Sequence, residues 1–72
     1  IQSAIDSCRT NAGAAELSIT VYINVDGKAM AAGGASNDEQ GRKAVDCAVT
    51  AALQERYASP GSYPAKVTLQ SR

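Results

Sequence analysis

Residues Glu16 to Lys28, ELSITVYINVDGK, alternate apolar and polar side chains without interruption before meeting Asp26-Gly27. Leu17, Ile19, Val21, Ile23 and Val25 fall on one side of an extended chain, and Glu16, Ser18, Thr20, Tyr22 and Asn24 on the other. A period of two requires a half-buried β-strand, and the β-branched residues suit a pleated surface. Asp-Gly supplies the positive φ that a tight hairpin needs, so the chain is expected to fold straight back. Everything else must pack around this strand.

The return strand, from about Lys28 to Ala35, consists almost wholly of small residues, and its register is open. A two-residue turn would put Met30, Ala32 and Gly34 on the core side. A three-residue loop ending at Gly27 as a bulge would put Ala29 and Ala31 there, and it is preferred because Lys28 and Met30 then keep to the less buried face. In either case the strand offers so little bulk that a helix can lie close against it, and Gly33-Gly34 suits a bend in it or its end.

Two helical segments flank this hairpin. In residues 1–12, Ile1, Ile5, Cys8 and Ala12 make one stripe with Ala4 alongside, Gln2, Asp6, Arg9 and Thr10 take the other side, and Asn11 with Gly13 signals the end. Ser36-Asn37-Asp38-Glu39 has the spacing of a capping box, with Ser36 as N-cap of a helix running to about Tyr57. Its apolar arc is wide: Val45, Val49 and Leu53 on one flank suit the sheet, Ala48 and Ala52 lie in the middle, and Ala44, Cys47 and Ala51 suit contact with the first helix.

After the turn at Ser59-Pro60-Gly61-Ser62, Tyr63-Pro64 leads into a last strand, Ala65 to Gln70, with Val67 and Leu69 on one face and Lys66, Thr68 and Gln70 on the other. The order is α-β-β-α-β. A right-handed crossover sets the third strand antiparallel beside the first. The expected fold is therefore α+β: a three-stranded antiparallel sheet of order 2-1-3 packed against two helices, as one domain over residues 1–72.

A chain of 72 residues retains only a few kcal/mol of net stability from its core unless something staples it. Cys8 and Cys47 lie on the apolar sides of helices expected to pack together, so a disulfide is the simplest account, with two buried thiols as the alternative. Such a bond implies an oxidising compartment.

The composition argues against several functions. Seven basic residues, scattered along the chain, balance seven acidic ones, which disfavours nucleic acid or an anionic membrane as partner. There are three tyrosines, no tryptophan or phenylalanine and no histidine, which leaves no base-stacking platform, no imidazole base and a poor metal site. Asp6, Glu16, Asp26, Asp38, Glu39, Asp46 and Glu55 each have a local explanation as helix surface, turn or cap. Gly33-Gly34 lacks the context of a dinucleotide fingerprint. The expectation is a non-enzymatic domain without cofactor or metal.

A cysteine-bearing helix, a strand with the INVDGKA turn, a small-residue strand ending in Gly-Ala-Ser, the VDCAVTAAL helix and the YASPGSYPAKVTL ending together resemble the C-terminal domains of the TonB and TolA energy-transducing proteins. The likeness is greatest to the two-cysteine AgmX/PglI type of gliding-motility and envelope proteins, and covers nearly the whole chain. It implies that Cys8 and Cys47 pair, and that the domain is the periplasmic end of a longer protein anchored in the inner membrane. It also implies docking onto outer-membrane or periplasmic partners, often by strand addition, with Lys66, Val67, Thr68, Leu69 and Gln70 as the corresponding edge strand. The chain departs from that pattern in having little aromatic bulk near its end. A second reading from the residues is a secreted, disulfide-stapled inhibitor or effector that binds through the loop Ala58 to Pro64.

Overall fold

The computed structural model describes all residues from Ile1 to Arg72. The elements are α1 (Gln2–Ala12), β1 (Leu17–Ile23), β2 (Ala29–Ala35), α2 (Glu39–Gln54) and β3 (Ala65–Ser71). The sheet order is β2-β1-β3, both pairs antiparallel, and Cys8 and Cys47 form a disulfide across a Cα–Cα distance of 5.8 Å. The α-β-β-α-β order, the sheet and the disulfide all agree with the reading of the sequence.

β1 is central, and Leu17, Ile19, Val21 and Ile23 are buried along one face. They form a single core with Ile5 and Cys8 of α1 and with Ala44, Ala48 and Ala52 of α2. α2 lies over β2 and β1, while α1 packs on α2 and over β3. Both helices cover the same sheet face, and the opposite face is open to solvent. α1 ends in a Schellman motif: Gly13 takes φ 71°, its N–H donates to the Thr10 carbonyl, and the Ala14 N–H donates to that of Arg9.

Several local expectations are corrected. Val25 leaves the core side: β1 stops at Ile23, and Val25 sits in the loop, 41% exposed. The loop itself is the three-residue kind, because Asn24 N–H donates to the Lys28 carbonyl while Gly27 N–H donates to that of Asn24, and Gly27 has φ 85°. Ala29 pairs with Ile23 as that loop requires. A bulge follows at Met30, after which Tyr22 faces Ala31 and Val21 faces Ala32. The extra residue inverts the parity, so Ala32 and Gly34, not Ala31, share the buried face of β1. Gly34 lies so close to Ile19 and Val45 that a Cβ there would meet both side chains.

The cap of α2 also differs. Asp38, not Ser36, is the N-cap, its carboxylate accepting from the Gly41 N–H, while the Ser36 hydroxyl donates to the Glu16 carbonyl. Two cap-forming residues compete in Ser-Asn-Asp-Glu, and the tertiary bond to Glu16 decides which is used. The helix closes at Gln54, earlier than Tyr57, because the chain turns back to the hairpin. Tyr57 N–H donates to the Gly27 carbonyl, the Arg56 backbone pairs antiparallel with that of Lys28, and the Tyr57 hydroxyl donates to the Ala52 carbonyl. Of the flank expected to face the sheet, Val45 and Val49 pack against the core beside the buried Ala44, Ala48 and Ala52, with Val45 against Gly34, whereas Leu53 at the end of the helix is 43% exposed. Ala4 on α1 is likewise exposed.

Candidate functional site

β3 is an edge strand, paired only with β1. Lys66, Thr68 and Gln70 stand opposite Tyr22, Thr20 and Ser18, so they belong to the open face, where the Thr20 and Thr68 hydroxyls are hydrogen-bonded. Val67 and Leu69 lie opposite Val21 and Ile19 on the helix side. Leu69 packs against the core, whereas Val67 remains 36% exposed beside it. All five residues named from the sequence are therefore in one strand, and the strand runs one residue further, to Ser71.

That extra residue anchors a polar contact that the sequence reading had treated as the outer side of α1. The Ser71 hydroxyl is buried at 1% exposure, donates to the Asp6 carboxylate at 2.5 Å and accepts from the Arg9 guanidinium at 2.7 Å. Gln2 Nε2 donates to the Gln70 carbonyl at 2.9 Å and to Asp6 at 3.0 Å. The polar face of α1 is thus turned onto the end of β3. The signal available in the sequence was the i, i+4 spacing of Gln2 and Asp6, which places both on one helix face; nothing local names Ser71 as their partner.

At the same end of the sheet, a groove of about 290 Å³ is bordered mainly by polar residues of β1, β2, β3 and the loop at Asn37. Glu16 accepts there from the Asn37 amide. Asp26 accepts from the Lys28 N–H in the hairpin, the turn role expected of it, whereas Glu55 pairs with the Ile1 ammonium, and no three His, Cys, Asp or Glu side chains converge as metal ligands. At the opposite end of the sheet, the loop 58–64 is exposed throughout. Tyr63 is 79% exposed, whereas Tyr57 folds onto the core, and its burial, with a smaller effect of Glu55, raises its phenol pKa.

Two carboxylates are held below their usual range. Hydrogen bonds from Ser71 and then Gln2 do this for Asp6, and the backbone N–H groups of Ala15 and Gly41 for Asp38. In both, the native state binds its proton more weakly than the unfolded chain. The resulting stability is present above the ordinary carboxylate pKa and is lost as pH falls through it towards the native value. Acid unfolding followed by circular dichroism is expected to begin as pH drops below about 5. Asp38→Asn should flatten part of that dependence, and Asp6→Asn another part.

No helix is long and apolar enough to cross a membrane. Compared with family models, curated proteins and solved structures, the chain matches none.

Proposed function

We propose that the domain is a non-enzymatic protein–protein interaction module that takes an extended segment of a partner onto the outer edge of β3. The observation carrying this reading is a seven-residue strand at the sheet margin, bonded on one side only. Such an edge offers a row of backbone donors and acceptors to another chain. The disulfide fits an oxidising compartment. With the resemblance to TonB and TolA C-terminal domains, the reading becomes periplasmic: an inner-membrane-anchored protein coupled through this domain to outer-membrane or periplasmic partners, as in energy transduction or gliding motility.

Titrating the isotopically labelled domain with extended periplasmic segments of candidate outer-membrane proteins tests it. The expected result is amide shift changes concentrated at Lys66, Val67 and Thr68. Changes spread evenly over the domain would refute strand addition. The exposed Tyr63 side chain supports the second reading, a secreted inhibitor or effector that binds through the loop 58–64, and changes centred on that loop would favour it.

A further inference from the structure

The hydrogen-bond pattern specifies which groups of β3 a partner can reach. In the hairpin, the N–H of Asn24 points to β2, since it donates to Lys28. Backbone direction alternates along a strand, so Ser18, Thr20 and Tyr22 also address β2, and Leu17, Ile19, Val21 and Ile23 address β3. Their partners Ser71, Leu69, Val67 and Ala65 therefore point inward. Lys66, Thr68 and Gln70 direct their N–H and C=O outward. The Gln2 bond to the Gln70 carbonyl agrees independently, because a side chain from α1 reaches that carbonyl at the strand's free edge.

One of the outward acceptors is thus already occupied from within the domain. We infer, on the strand-addition reading above, that Gln2 closes the C-terminal end of the β3 edge, so that a partner strand pairs with Lys66 and Thr68 and must displace the Gln2 amide to extend to Gln70. The same geometry specifies the chemistry of the partner. Residues opposite Val67 face the helix side, where that side chain is 36% exposed, and β-branched side chains fit there. The residue opposite Lys66 lies on the open face beside an ammonium that has no salt bridge, and a carboxylate complements it. The partner segment is therefore short, extended, apolar at alternate positions, and acidic opposite Lys66.

The probe is the peptide acetyl-Val-Thr-Val-Thr-Val-Glu-Val-amide, whose first threonine brings an N–H opposite the Gln70 carbonyl when its glutamate stands opposite Lys66 on an antiparallel strand, titrated to millimolar concentration against the labelled 72-residue chain and three variants. The wild type should shift the Lys66 and Thr68 amides and slow their exchange, leaving Gln70 little changed. Gln2→Ala should bind about fivefold more tightly, the equivalent of one net hydrogen bond no longer competed for, with the shifts now reaching Gln70. Gln2→Glu, which keeps the side-chain length but has no donor, should behave in the same way. Thr68→Pro removes an outward N–H and leaves the β1 ladder intact, as proline on an edge strand can, and should abolish binding while the β1–β3 pairing persists.

Equal affinity for wild type and both Gln2 variants, with shifts at Lys66 and Thr68, would overturn the closing role of Gln2 and leave strand addition standing. No β3 shifts in any of them at millimolar peptide would overturn both. Undiminished binding by Thr68→Pro would show that the peptide does not use the outward edge, which also overturns both.

Discussion

Replacing Cys8 and Cys47 together by alanine is expected to lower the melting temperature by roughly 15–30 °C, measured by circular dichroism. The bond closes a loop with a sequence separation of 39, and chain entropy assigns a loop of that length about 4 kcal/mol. In a domain of this size each kcal/mol moves Tm by about 4–8 °C. The rest of the core cannot absorb the loss. Its helical contribution is three alanines, Ile5 and Cys8, and the only large side chains buried deeply in the sheet are the four of β1. The unsubstituted protein in excess reductant should melt with the variant, because both lack the same cross-link. A fall of only a few degrees in both would show that the helices are held mainly by other contacts.

Gly27→Ala is expected to destabilise the domain by about 3 kcal/mol or more, measured by chemical denaturation. Two causes add. The residue has φ 85°, which strains any L side chain, and a Cβ there would collide with the carbonyl oxygen of Tyr57. The second cause can be separated from the first. Asparagine tolerates positive φ, so Gly27→Asn should be mild if the turn alone matters and as severe as alanine if the Tyr57 contact governs. Gly13 is the control, since it has φ 71° with open space around it; Gly13→Ala should cost only about 1 kcal/mol.

Gly27 also marks where the reading of the sequence stopped. That a turn lies at Asp26-Gly27 is a local property and was evident from the residues. That the chain beyond α2 comes back to lie on it is a property of the whole fold, and Tyr57 carries no local signal of it. The same division holds elsewhere. β1 was legible because one face of it is buried, and burial imposes a strict period of two. Val25 was misplaced because the alternation continues in the sequence after the backbone has left the strand. β2 was ambiguous for a physical reason: its residues are too small for burial to select one register over another, and the Met30 bulge leaves no trace in such a segment. The disulfide was inferred correctly because each cysteine lay on an apolar helix face, and such faces must find each other in a small core.

Of the candidate site, the strand itself was visible, including which residues share each face. The hold of α1 on that strand was not. Gln2, Asp6 and Arg9 look like solvent-facing helix residues, and only the sheet order, which brings β3 beneath α1, makes partners of Ser71 and Gln70.

The disulfide makes a closed ring of residues 8–47, which contains β1, β2 and most of α2, and leaves β3 outside it. Under tension the two ends of the domain therefore behave differently. A pull on Ile1 can unwind α1 only as far as Cys8 before it meets a covalent stop. A pull on β3 meets the ladder to β1, the packing of Leu69 on the core and the side-chain bonds from α1, none of them covalent, and can strip the strand away while the ring stays whole. A load passed between Ile1 and a partner held on β3 would thus find its weakest link at β3, where release leaves the rest of the domain linked and ready to re-form the sheet.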